Sequence, residues 1–203
     1  REVRATLTGA DQAQSYDAVL KPLGGAPGYM LVIDEAHAQI APEAARPLIY
    51  DFDLLDVATT PEFDARALRD LCFVVFDSET TGLMPHKDEV VQLGAVRVLN
   101  GRIIEGEVFD MLVDPGMPIP RASTEVHKIT DEMVRGAPDI VAVGRRFHGF
   151  CRDAVIVAHN APFDLAFLRR HAGRMGVDWD HPILDTVLLS AVLILLWVPK
   201  DPP

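Results

Sequence analysis

Three carboxylates carry the chemistry available to this sequence. Asp77 and Glu79 stand two apart in Phe73-Val74-Val75-Phe76-Asp77-Ser78-Glu79-Thr80-Thr81-Gly82-Leu83, where an apolar run gives way to a glycine turn. A strand sends alternate side chains to opposite faces, so the pair projects to one side. Two like charges side by side repel unless a cation or a shared proton lies between them. An oxygen-rich pair at a strand end therefore reads as half of a divalent metal site. The third carboxylate follows a second apolar run, Val155-Ile156-Val157-Ala158-His159-Asn160-Ala161-Pro162-Phe163-Asp164. Pro162 is favoured in a first helical turn, and Asp164 falls in that turn, where the helix dipole favours a carboxylate. Each motif alone has a plainer reading, a solvated turn for the first and a helix-start carboxylate for the second.

Together, in this order and at this separation, the two motifs resemble the DEDD family of 3′–5′ exonucleases, in its DnaQ-like branch. That branch includes the proofreading epsilon subunit of bacterial DNA polymerase III. The segment Ser123-Thr124-Glu125-Val126-His127-Lys128-Ile129-Thr130-Asp131-Glu132-Met133 matches the family's substrate-side connection. Pro182-Ile183-Leu184-Asp185-Thr186 matches the Leu-Asp-Thr that opens its next helix. Four matches in register make a specific signal.

The resemblance implies a mechanism and a set of site residues. Phosphodiester hydrolysis needs an activated water and stabilised negative charge on the leaving oxygen, and two metal ions roughly 4 Å apart supply both. Magnesium and manganese favour hard carboxylate oxygens, so two divalent cations, Mg²⁺ or Mn²⁺, are the expected cofactors. Asp77 is expected to bridge both ions, Glu79 to bind the nucleophile-side ion, and Asp164 to hold the leaving-side ion, directly or through water. Thr80, Thr81, Gly82 and Leu83 are expected to cradle the terminal nucleotide, and His127 lies in the substrate-side segment. Asn160 and Phe163 fall where the family contacts the penultimate nucleotide, and base stacking on an aromatic is worth about 1–3 kcal/mol. His159 reads as a hydrogen-bonded structural histidine.

One element of the family pattern has no match. The family completes its site with a fourth aspartate, preceded by a histidine five residues earlier or a tyrosine four residues earlier. After Asp185 the chain offers only Asp201, with neither residue upstream of it, and neither His171 nor His181 is followed by an aspartate at the required spacing. A positioned general base contributes typically 10²–10⁴-fold. The expected function is thus a metal-dependent 3′–5′ exonuclease acting on DNA, with RNA possible, in proofreading or repair and impaired in this chain. The alternative is a non-catalytic exonuclease-fold module that binds a nucleic-acid end or a partner protein.

Composition sets looser bounds. The 203 residues are 49% apolar, enough to bury a core, and the formal net charge is −11. That charge disfavours a protein that coats nucleic acid, since phosphate neutralisation drives such binding. An enzyme that grips only a strand end through metal ions tolerates it. Residues 1–70 carry 6 basic and 12 acidic side chains, and residues 71–203 carry 13 and 18, so the acidity is spread out. Cys72 and Cys151 have no ligand spacing and read as reduced core thiols of a cytoplasmic protein. The apolar run 187–198 is too short for a bilayer span, so no membrane association is expected. Left bare, it would favour self-association, and a polymerase is the other partner the resemblance suggests.

These residues need elements to position them. Strands are expected at 71–77, 89–99 and 102–113, the last two joined by the hairpin signal Asn100-Gly101. Pro115, Pro118 and Pro120 mark a loop, Ser123 and Thr124 offer helix starts, and a helix is expected near 138–152. A strand at 154–158, a helix at 162–175 and a helix from Asp185 complete an α/β fold, a mixed sheet of the ribonuclease H-like type flanked by helices. Residues 1–70 read as a small N-terminal α/β appendage with a connecting segment, a regulatory or PAS-like fragment, and the exonuclease-like domain as 71–203. Within the appendage, Tyr29-Met30-Leu31-Val32-Ile33 leads into Asp34-Glu35-Ala36-His37, the metal and ATP-hydrolysis motif of helicases. That reading needs a Gly-x-x-x-x-Gly-Lys-Ser/Thr loop upstream, and none is present. A helix is expected at 42–48.

Overall fold

The computed structural model describes residues 66–193 in full, the helical backbone on to Leu196, and the backbone of three strands between residues 3 and 33. The chain divides into two units, residues 1–42 with 198–203, and residues 43–197. In the first, β1 (Val3–Thr8), β2 (Ser15–Pro22) and β3 (Tyr29–Ile33) form an antiparallel sheet in that order. The apolar strand expected before Asp34 is β3. The Asp34–His37 motif, the helix expected at 42–48 and the connecting segment lie outside the described residues.

The second unit is built on a five-stranded mixed sheet, ordered β6-β5-β4-β7-β8. Its strands are β4 (Cys72–Thr80), β5 (Val90–Leu99), β6 (Arg102–Leu112), β7 (Val155–Ala158) and β8 (Ile183–Asp185). β4 pairs antiparallel with β5 and parallel with β7, so the strand that carries Asp77 and Glu79 lies at the centre. Asn100 and Gly101 close the β5–β6 hairpin with φ of 51° and 70°, the left-handed pair that matches the twist of the strands. β7 is buried along its whole length, as expected of a parallel strand with neighbours on both sides.

Among the described residues five α-helices accompany the sheet: α1 (Arg121–His127), α2 (Asp131–Val134), α3 (Ile140–Phe150), α4 (Ala161–Met175) and α5 (Thr186–Leu196). Asp139 caps α3 by accepting from the Ala142 N–H at 2.9 Å, and Gly176, at φ 68°, ends α4. The core gathers Val74 and Phe76 of β4 with Phe147 of α3 and Phe163, Phe167 and Leu168 of α4. Phe147 is its centre, with ring centroids 5.1 Å from Phe76 and 5.3 Å from Phe109. Fully burying such a side chain contributes about 1.5–3 kcal/mol. The other face of the sheet is far less covered toward β5 and β6: Val75 and Val108 are 38% and 58% exposed. Among the described residues no helix is long and apolar enough to cross a membrane.

The structure departs from the sequence expectations in three places. β4 runs on to Thr80, with a register shift between Glu79 and Thr80, so both carboxylates stand within the strand. α1 starts at Arg121, because the Thr124 N–H reaches the Pro120 carbonyl at 3.1 Å, and Ser123 points its hydroxyl elsewhere. The helix expected from Asp185 begins at Thr186 as α5, and residues 183–185 before it form β8 beside β7, a strand the sequence pattern did not indicate. Pairing with a buried neighbour overrides local pattern in a segment that short.

Candidate functional site

Alternation along β4 gives the site its layout. Asp77 and Glu79 face the open side of the sheet, where Asp77 pairs in register with Gly94 and Glu79 with Gln92. Among the described residues no atom lies within 4 Å of the place a Cβ on Gly94 would occupy, and its φ is not positive. Glycine weakens a strand interior, so a bare position here leaves room for something that approaches the sheet. A groove of about 680 Å³ passes over it, lined by Asp77, Gly94, Val157, His159, Asn160 and Thr186. A smaller one of about 290 Å³ adjoins it, with Asp77, Glu79, Gln92 and Asp110 in its walls. The Gln92 amide donates to Asp110 Oδ1 at 2.7 Å, which turns that carboxylate toward β5.

Asp164 stands on the other side of the strand. It is 1% exposed in the first turn of α4, and Ser78 Oγ donates to its Oδ1 at 2.5 Å. Ser78 alternates with its neighbours, so it faces the helix-covered side with Val74 and Phe76. The three sequence-predicted ligands therefore divide into an open pair and an enclosed third. Among the described residues no three histidine, cysteine, aspartate or glutamate side chains converge closely enough to hold a metal ion. In kind, the donors suit a hard divalent cation: all three are carboxylates, with Asp77 exposed and Glu79 half-buried.

The turn that presents Asp164 is fastened by a residue whose role the sequence reading missed. Asn160 sits at φ 65° and ψ 48°, a left-handed conformation that asparagine tolerates better than most residues. Its N–H donates to Asp185 Oδ1 at 3.0 Å, and the Val187 N–H donates to the same oxygen at 2.9 Å. Asp185 is 3% exposed and thereby joins the β7–α4 turn to the β8–α5 junction. Next to it, Thr186 Oγ1 lies 2.9 Å from Nδ1 of the exposed His159, so this histidine is hydrogen-bonded and lines the groove. Phe163 is 1% exposed with its ring 5.3 Å from Phe167, which makes it core packing instead of an open stacking surface.

The loop after the carboxylate pair is held at both ends. Thr80 Oγ1 donates to the Gly82 carbonyl at 2.7 Å. Thr81 donates its N–H to the Glu89 carbonyl at 2.8 Å and accepts the Glu89 N–H on its hydroxyl at 3.0 Å. Ser123 Oγ of α1 donates to the Thr81 carbonyl at 2.7 Å. A Cβ on Gly82 would lie 2.5 Å from Asp88 Oδ2, the oxygen that accepts the Met84 N–H. Only glycine lets the buried Asp88 carboxylate close the loop. Leu83 is half-buried against the core, and His127 Nδ1 accepts the Ile129 N–H at 3.0 Å at the end of α1.

Comparisons with known proteins bear on the family and the fold. Residues 74–195 match the family model for exonucleases (RNase T). A DNA polymerase III subunit epsilon-like protein of Rhodobacter capsulatus is 59% identical over 149 residues, 73% of this chain and 21% of that protein. The PolC-type DNA polymerase III of Thermotoga maritima is 42% identical over 134 residues, 66% of this chain and 10% of that protein. The chain thus spans about a fifth or less of the length of these relatives. Escherichia coli exonuclease I in complex with a dA16 oligonucleotide superposes with a TM-score of 0.55 at 22% identity, over 63% of this chain and 30% of that one. Apo exonuclease I gives 0.56 at 21% identity, over 66% and 33%. These last two are likenesses of fold. With the family model covering more than half of the sequence and both carboxylate motifs, this chain belongs to the exonuclease family, a family of nucleases.

Proposed function

We propose that this chain is a metal-dependent 3′–5′ exonuclease domain that hydrolyses the terminal phosphodiester bond of a DNA strand in proofreading or repair. The observation that carries the reading is the Asp77–Glu79 pair, side by side on an open sheet face beside a groove that Gly94 leaves bare. Exonucleases of this family use divalent metal ions, and here magnesium or manganese would be held by Asp77 and Glu79. Asp164 would join them, directly or through water, with a carboxylate that accepts from Ser78 on one oxygen. Bound cations supply an activated water and charge stabilisation on the leaving oxygen. The chain's own part is to place the strand end. Thr80, Thr81, Gly82 and Leu83 shape the loop for the terminal nucleotide, while Asn160 borders the groove and His127 ends the substrate-side helix.

A second reading, a non-catalytic module that binds a strand end, is favoured by one observation: Asp164 is 1% exposed, with the Ser78 hydroxyl on one of its oxygens. The single-stranded 3′ end of DNA is the substrate in the first reading, and the names of the polymerase relatives suggest a polymerase as partner.

Single-stranded DNA labelled at its 5′ end, incubated with the chain and excess Mn²⁺, separates the two. Shortening that disappears in Asp77→Ala and with a chelator is the expected result. A folded protein that binds the strand end and leaves it intact supports the non-catalytic module.

A further inference from the structure

The loop 82–88 is also tied to α4 by side chains that no step above has used. Glu89, at the far end of this loop, is half-buried, and its carboxylate meets two residues of α4: Arg170 at Oε1, and His171 Nε2 at 2.9 Å from Oε2. Arg170 also donates to the Pro85 carbonyl, inside the loop. His171 is buried, and its Nε2 lies 2.9 Å from Arg170 Nη2 as well as from Glu89. One ring nitrogen cannot donate and accept at once. Arg174 Nη1 stands 3.3 Å from Nδ1, and a guanidinium only donates, so Nδ1 is the acceptor. Nε2 then carries the proton and donates to Glu89, while Arg170 serves Glu89 Oε1 and the Pro85 carbonyl. That assignment gives Glu89, the Pro85 carbonyl and Arg174 their partners, and leaves Arg170 Nη2 at 2.9 Å and Nε at 3.3 Å from Nε2 as close approaches that are not hydrogen bonds.

We propose that Glu89, Arg170 and His171 form a latch that fixes the 82–88 loop against α4 and so sets how well the terminal nucleotide fits. The inference rests on the exonuclease reading above. The backbone of Glu89 already closes the loop through both bonds to Thr81, and its side chain reaches the helix whose first turn carries Asp164. One residue thus couples the nucleotide loop to the third carboxylate. All three are positioning residues: they act through the loop.

The test uses the intact chain with Mn²⁺ and deoxythymidine 5′-monophosphate as probes, read by calorimetry, and amide hydrogen exchange of 82–88. Glu89→Gln keeps an acceptor for His171 and loses the charge facing Arg170; Arg170→Gln removes a half-exposed partner with little risk to the fold. In both variants nucleotide affinity falls about tenfold, Mn²⁺ affinity without nucleotide stays within about twofold, and exchange in 82–88 accelerates. Glu89→Ala loses more than Glu89→Gln. Wild-type nucleotide affinity in a folded Arg170→Gln protein overturns the latch, as does a parallel loss of Mn²⁺ affinity. If the wild-type chain takes up no nucleotide with Mn²⁺, the exonuclease reading fails instead. Exchange at 82–88 then still decides the latch: faster in the variants supports it, unchanged contradicts it.

Discussion

Ser78 Oγ lies 2.5 Å from Asp164 Oδ1, so the strand that presents Asp77 and Glu79 to one side holds the third carboxylate from the other. A hydrogen bond to a buried charged group contributes about 1.5–3 kcal/mol, more than a neutral pair. Ser78→Ala is therefore expected to lower stability in urea denaturation by about 1–3 kcal/mol. Ser78→Thr keeps the hydroxyl and loses less.

Gly94 tests the groove without touching a carboxylate. Its φ is not positive and nothing among the described residues crowds a Cβ there, so Gly94→Val folds normally and keeps its melting temperature. The added side chain stands beside Asp77, and the shortening of 5′-labelled DNA falls by about tenfold or more, a loss of ~1.4 kcal/mol in transition-state binding. Unchanged activity in this variant would mean the substrate does not use the groove.

Asp185 fastens two backbone N–H groups from two elements with one oxygen. Asp185→Ala leaves both donors buried and unsatisfied, at a cost of about 1–3 kcal/mol each. Asp185→Asn keeps the acceptor and retains most of the stability. Urea midpoints of the two variants separate these effects.

His181 gives the fold a pH dependence. Burial, and then the neighbouring His148, hold its imidazole below the ordinary value of 6.5, with Asp180 opposing. The rings of His148 and His181 are 5.0 Å apart. The unfolded chain then binds more protons than the native one between 6.5 and the lowered native value, so stability drops as pH falls through that window. The urea midpoint of the wild type should decline between pH 8 and pH 5.5 more than that of His181→Gln. Equal declines would remove His181 from the account.

The two cysteines should behave differently toward a thiol reagent. Burial pushes the Cys151 thiol up to about 12, and the residue is fully enclosed, so it stays unlabelled at pH 8 until the protein unfolds. Cys72 is half-buried and should label in the native state. Native labelling of both would contradict the packing at the end of α3.

Much of the layout was legible in the sequence because it rests on local signals. The apolar run before Asp77, Asn100-Gly101 and Pro162 each fix an element by backbone preference, and β4, the hairpin and α4 followed. What stayed hidden depends on residues far apart in the chain. β8 is three residues long, too short to display a period of two, and exists because β7 lies beside it. Ser78 looks like a spacer between two acids until α4 brings Asp164 against it. Glu89 and His171 are 82 positions apart, and each alone reads as a surface residue. Phe163, expected at the substrate, is drawn into the core because the first turn of α4 packs inward there. The Asp-x-Glu pattern gave the open pair, while the enclosure of Asp164 needed the topology.

Manganese titration of the chain followed by electron paramagnetic resonance tests the central claim most directly, since it asks whether Asp77 and Glu79 are a metal site. The account predicts that the wild type binds Mn²⁺, that Asp77→Asn and Glu79→Gln each weaken binding by about 10–100-fold or more, and that Asp164→Asn weakens it less. Mn²⁺ binding that is unchanged in folded Asp77→Asn would contradict it.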